Sequence, residues 1–129
     1  VRALVIDDSQ AIRILIANIL KRIGFEVLEA ANGREALERL AAASRMDVAF
    51  VDWNMPEMDG LAFVQAVRAE PRWAAVRLMM VTTETETAQV VRALAAGADE
   101  YLMKPFTKDA LIEKLALLGI PARPDEPAA

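Results

Sequence analysis

The chain has 129 residues, is 55% hydrophobic and sets 19 acids against 15 bases for a net charge of −4. This is the size of one domain with a sizeable core, and its acidic balance argues against general nucleic-acid binding. Cysteine and histidine are both absent, which excludes disulfides, Cys/His zinc sites, thiol catalysis and histidine as a base.

Short apolar runs alternate with helical patterns five times along the chain. Ala3, Leu4, Val5 and Ile6 predict a first strand that ends in Asp7-Asp8. Ile12, Leu15, Ile16, Ile19, Leu20 and Ile23 recur at helical spacing and predict a helix that buries this face, with Gly24 as its stop. Residues 25–28 predict a second strand, and Asn32-Gly33 a turn that opens a helix reaching about Ala43. Residues 47–51 predict a third strand that delivers Asp52 at its end. A long loop over 53–60, with Pro56 and Gly60, leads to a helix near 61–69. Residues 77–81 predict a fourth strand ending in Thr82-Thr83. A helix through Val90, Val91, Leu94 and Ala95 follows, with Gly97 suited to the left-handed position at its end. Residues 99–103 predict a short fifth strand before Lys104-Pro105, and a last helix faces Leu111, Leu115 and Leu118 inward and ends near Gly119. The expected organisation is one domain over 1–119 and a Pro/Ala-rich, disordered tail over 120–129. No apolar run reaches membrane-span length and no leader is visible, so the expected compartment is the cytoplasm.

Strands alternating with helices imply an α/β fold whose parallel sheet is covered on both faces. Right-handed crossovers then line all the strands' carboxyl ends along one edge, where ligands of such sheets bind. Asp7, Asp8, Asp52, Thr82 and Lys104 all stand at strand ends on that edge. Three carboxylates brought together repel one another, and a bound divalent cation resolves the conflict. Oxygen donors without nitrogen or sulfur favour Mg2+. A carboxylate beside such a cation, a lysine and a hydroxyl is equipped for phosphoryl transfer, with Asp52 as nucleophile.

Each feature also has a plainer reading. An acidic pair after a strand is usually a helix cap, which Ser9 or Asp8 would provide. Lys104-Pro105 fits an ordinary loop, Thr82 and Thr83 are β-formers, and Tyr101 is as well explained as a half-buried strand aromatic. Met79 and Met80 read as core. Met55, Met58 and Trp53 lie in the loop, where an exposed Trp53 would mark a contact. Eleven scattered arginines read as solvated surface. What favours the chemical reading is the joint presence of Asp7-Asp8, Asp52, Thr82 and Lys104.

With these residues and their intervals (44 residues from Asp8 to Asp52, 30 to Thr82, 22 more to Lys104), and with the string Asp52-Trp53-Asn54-Met55-Pro56, the sequence resembles the receiver domains of two-component response regulators, most closely the single-domain, CheY-like chemotaxis type. The resemblance covers residues 1 to about 119. It implies a flavodoxin-like (βα)5 fold with strand order 2-1-3-4-5. It implies Asp52 as phosphoacceptor, and Mg2+ held by Asp8, Asp52 and the Asn54 backbone carbonyl with Asp7 nearby. It further implies that Lys104 and Thr82 bind phosphoryl oxygens, that Tyr101 changes rotamer when Thr82 moves, and that Asn54 and Glu84 tune dephosphorylation. Implied partners are a sensor histidine kinase or phosphotransfer protein and a downstream target protein. The phosphoryl group must come from outside, because the chain has no histidine.

Two departures stand out. Receivers usually place a very small residue after the switch threonine, whereas Thr83 is larger and is expected to narrow access to Asp52. Regulators of the flagellar switch tend to be basic at the start of the fourth helix, whereas Glu86 and Thr87 stand here and count against that target. Two other functions compete. A phosphohydrolase with an aspartyl-phosphate intermediate needs an acid two residues after the nucleophile, and Asn54 stands there. A constitutive scaffold would leave the acidic site vestigial. In the leading reading the output comes from binding another protein, or from a domain outside this sequence, through the surface of the fourth helix, fifth strand and fifth helix.

Overall fold

Five β-rich apolar runs form β1 (Arg2–Ile6), β2 (Glu26–Ala30), β3 (Val48–Asp52), β4 (Arg77–Thr83) and β5 (Glu100–Lys104). In the computed structural model, which describes residues 1–83 and 87–120, they pair in parallel in the order β2-β1-β3-β4-β5. The order and the parallel pairing agree with the sequence expectation. The crossovers are α1 (Gln10–Arg22), α2 (Gly33–Ala42), α3 (Gly60–Arg68) and α4 (Thr87–Ala96), and α5 (Lys108–Leu117) follows β5. Four helices start on side-chain caps: Ser9, Asn32, Asp59 and Thr107 each accept a first-turn backbone N–H. No helix among the described residues is long and apolar enough to cross a membrane.

Alternation along the strands divides the core into two layers. Leu4, Ile6, Ala49, Val51, Leu78 and Met80 face one layer with Phe63, Val64 and Val67 of α3, Leu40 of α2 and Ala93 of α4. Ala3, Val5, Phe50, Met79, Val81 and Leu102 face the other with Ile16 and Leu20 of α1 and Leu111 and Leu115 of α5. Every residue of β3 is buried, as expected of a central strand covered on both faces. Ile120 is buried in the second layer, beyond the end of α5. The segment over 121–129 lies outside the described residues.

Three expectations are corrected. β4 continues two residues past Val81, because Thr82 and Thr83 pair with Met103 and Lys104 of β5. Leu15 is exposed at 55% rather than inward-facing, and on α4 Val91 and Leu94 are likewise exposed, at 67% and 38%. A helix lying on a sheet buries an arc centred on its closest residues (Ile16 and Leu20 on α1, Val90 and Ala93 on α4), and the flanking apolar positions fall outside it. Trp53 is 6% exposed and belongs to the α2/α3 layer, with Met55 beside it, so it marks no surface contact. The chain folds back after β3, with the Gly60 N–H bonded to the Trp53 carbonyl at 2.9 Å.

Arg68 departs from the solvated default. Arg68, near the end of α3, donates to the carbonyls of Gly97 at 2.9 Å and Val76 at 2.8 Å, and to the Asp99 carboxylate at 2.8 Å. Asp99 also accepts the Leu78 N–H. This guanidinium ties α3, the 3₁₀ turn Pro71–Trp73, the start of β4 and the turn after α4. Gly97 has a positive φ of 122°, as its position predicted, and a Cβ there would lie 2.6 Å from Arg68 Cγ.

Candidate functional site

Parallel pairing of β1 with β3 and of β3 with β4 brings three strand ends together at the carboxyl edge. One carboxylate oxygen from each of Asp7, Asp8 and Asp52 lies within 4.8 Å of the others. Asp7 and Asp52 are buried and Asp8 is exposed. Asp7 is held by the backbone of the next turn: its Oδ1 accepts the Ser9 N–H at 2.9 Å, and its carbonyl accepts from the Arg13 guanidinium at 2.7 Å. Ser9, not Asp8, caps α1, which leaves the Asp8 carboxylate facing solvent.

Lys104 closes β5 and reaches back across the edge. Its Nζ lies 3.3 Å from Asp7 Oδ2 and 3.5 Å from Asp52 Oδ1, so one ammonium serves two buried carboxylates. That compensation is incomplete. Burial, the Asp7 charge and, to a lesser degree, Asp8 raise the Asp52 carboxyl from an ordinary 3.8 to about 6, against the opposing pull of Lys104. An all-oxygen donor set with surplus negative charge and one exposed carboxylate is a suitable seat for a hard divalent cation.

The approach of α3 to this site depends on Gly60. A Cβ there would lie 2.7 Å from the Asp52 carbonyl oxygen and 3.0 Å from Trp53 Cα, so only glycine lets the helix start this close to the end of β3. Asn54 is exposed in the loop and, with Asp8, Met55, Pro56 and Asp59, lines an open depression of about 510 Å³. Thr82 is buried at 2% exposure, and its Oγ1 lies 3.4 Å from the Thr83 carbonyl oxygen. Thr83 is exposed and borders a mainly apolar groove of about 380 Å³ with Ile12, Leu15, Ile16, Lys104, Pro105 and Phe106. Tyr101 is half-buried against the α3/α4 layer. Glu84 lies outside the described residues, as does Glu86.

The structure thus brings Asp7, Asp8, Asp52 and Lys104 together, while Asn54, Thr82 and Thr83 stand around them on neighbouring strand ends and loops. Sequence reasoning missed Arg13, whose hydrogen bond fixes the Asp7 backbone, and the groove beside Lys104. Nothing in the sequence separates Arg13 from the other ten arginines, and the groove is lined in part by Leu15, whose exposure the helical spacing does not reveal.

A parallel sheet carrying a carboxylate cluster and a lysine at its carboxyl edge defines a doubly wound α/β protein with its working site at the strand ends. The chain belongs to the response regulator receiver domain family, whose model matches residues 3–116. It is 48% identical over 118 residues to chemotaxis protein CheY1 of Helicobacter pylori, an alignment covering 91% of this chain and 95% of that one. It is 47% identical over 115 residues to the chemotaxis protein CheY homolog of Campylobacter jejuni, covering 88% of each. Among solved structures, the chemotaxis protein CheY4 of Vibrio cholerae superposes with a TM-score of 0.84 at 39% identity, over 91% of this chain and 97% of that one.

Proposed function

We propose that this chain is a chemotaxis-type signalling receiver that accepts a phosphoryl group on Asp52 from a histidine kinase or phosphotransfer protein and then changes its affinity for a target protein. The observation that carries the reading is the Asp7/Asp8/Asp52 cluster with the Lys104 ammonium set between two of its members. Relatives over nearly the whole chain that bear the name chemotaxis protein support the signalling class.

Asp52 is the nucleophile because it closes β3 with its carboxylate turned to the open edge. At neutral pH it is ionised, its carboxyl value being about 6. One carboxylate oxygen attacks phosphorus as the donor P–N bond breaks, and the leaving imidazole keeps the bond's electron pair and takes a proton from solvent. Lys104 loses half of its pairing when the carboxylate becomes an ester-like anhydride, and turns its ammonium to a phosphoryl oxygen. The Thr82 hydroxyl, on the adjacent strand, donates to another oxygen when the end of β4 moves inward. Asp8 and Asp52, the Asn54 backbone carbonyl and Asp7 would hold Mg2+, which when bound neutralises charge on the phosphoryl oxygens. Phosphorylation adds acceptor oxygens that reward the inward position of Thr82, and the surface formed by α4, β5 and α5 carries the change to the partner.

Asn54 cannot protonate a leaving group, so the site is suited to one phosphoryl transfer rather than sustained hydrolysis. Incubation with Mg2+ and acetyl phosphate or phosphoramidate separates the readings. The receiver yields a base-labile adduct that is lost in Asp52→Asn. Rapid multiple turnover would identify a phosphohydrolase, and no adduct a scaffold. Comparing proteins retained by phosphorylated and unphosphorylated chain then identifies the target.

A further inference from the structure

Lys114 stands outside the site described above, yet its ammonium lies over the ring of the residue through which the proposed switch acts. Leu111 and Leu115 place α5 on the α1/α5 layer of the sheet, whereas Tyr101 packs against the opposite layer. Lys114 reaches around the edge strand β5 to join them. Its Nζ sits 4.2 Å from the centroid of the Tyr101 ring and 3.3 Å from Glu100 Oε1. The same Glu100 oxygen accepts the Tyr101 N–H at 3.0 Å. Ammonium, carboxylate, ring and backbone amide therefore form one closed arrangement at the sheet edge.

We infer that Lys114, anchored by Glu100, is a positioning residue that holds the Tyr101 ring at the edge of the sheet and so biases the chain toward its unphosphorylated form. This deepens the proposed function and rests on its reading of Tyr101 as the moving aromatic. In the ring position of this structure the ammonium lies over the ring. A ring turned inward beneath α4 leaves the cation with Glu100 alone. A cation–π contact at a partly exposed site corresponds to about a two- to fivefold bias between the two ring positions. The bias is modest, so phosphorylation overrides it, while in the resting chain it lowers the inward fraction by that factor. Glu100 sets the ammonium's place over the ring, because without it the four-carbon stem of Lys114 has many other solvated positions.

Tyr101 is the sole tyrosine of the chain, so full-length protein grown with 3-fluorotyrosine gives a single 19F resonance that reports this ring. Spectra are taken at rest and with beryllofluoride and Mg2+, a stable mimic of the phosphoryl group. The resting resonance of Lys114→Met is expected to move toward the beryllofluoride position, with the inward fraction raised about two- to fivefold. Lys114→Arg, which keeps a cation over the ring, stays at the wild-type position. Glu100→Gln moves in the same direction as Lys114→Met by less, and stands in for it should that variant fail to unfold cooperatively in urea. A resting Lys114→Met resonance that coincides with wild type, while beryllofluoride still moves both, overturns the role of Lys114 and leaves the switch intact. No movement of wild type with beryllofluoride overturns the reading of Tyr101 as the switch, and the inference with it.

Discussion

Asp52 combines two roles that conflict energetically. It must be ionised to attack phosphorus, but burial and Asp7 hold its carboxyl at about 6. Between 3.8 and 6 the folded state therefore binds more protons at this residue than the unfolded state, and stability falls as pH rises through that window. The contribution is intact below 3.8 and fully lost above 6, a difference of about 3 kcal/mol by linkage. Asp52→Asn is accordingly expected to be more stable than wild type by about 2–3 kcal/mol at pH 7.5 in EDTA. The advantage should vanish near pH 4, and urea denaturation at the two pH values checks both. A stable nucleophile-free variant is the mark of a site that holds strain for function. Thr83 is the other residue whose substitution is informative. It lines the groove beside Lys104, and Thr83→Ala should speed adduct formation with acetyl phosphate or the adduct's decay; unchanged values for both rates would remove Thr83 from the access route.

At the scale of elements, loop and helix ends aim the site. Gly60 allows α3 to start against the Asp52 carbonyl, and a Cβ at 2.7 Å has backbone on its other side, which cannot yield like a flexible side chain. Gly60→Ala should cost about 1–3 kcal/mol in urea denaturation and slow phosphorylation of Asp52, because relief must come from moving the end of β3 or the start of α3. Arg68 acts at the opposite end of the sheet. Arg68→Met removes the guanidinium donor from four carbonyls (Trp73, Ala74, Val76 and Gly97) and from the Asp99 oxygen, which keeps only the Leu78 N–H, and should cost about 2–4 kcal/mol with the adduct rate unchanged. The strands, the caps Asn32 and Ser9 and the positive φ at Gly97 were legible in the sequence, because alternation, Asn-Gly and helix-end glycine are local signals. Trp53 and Leu15 were misjudged for one common reason. Which apolar residues are covered depends on where neighbouring elements dock, and no local pattern carries that. The extension of β4 through Thr83 belongs to the same class, since pairing with β5 rather than propensity decides it.

Across the whole molecule, the site was legible as a set because each member ends a strand and the topology of parallel sheets gathers strand ends. What remained hidden was the wiring: the double pairing of Lys104, the bond from Arg13 to the Asp7 carbonyl, and the reach of Lys114 around β5 to Tyr101. These depend on side-chain reach across elements far apart in sequence. The surplus of negative charge at the edge makes a global prediction. Mg2+ at ten times its dissociation constant should stabilise the folded chain by about 1.4 kcal/mol and raise the thermal midpoint by roughly 5 °C. Asp8→Asn should lose most of that increment, and an equal increment in both proteins would place the cation elsewhere.

Borohydride reduction tests the central claim most directly, since it converts an aspartyl phosphate to homoserine and so records the acceptor's position. After incubation of the full chain with acetyl phosphate and Mg2+, peptide mass mapping should find homoserine at position 52 and at no other aspartate. Homoserine at position 7 or 8, or none at all while the chain remains folded, would contradict the assignment of Asp52 as the phosphoacceptor.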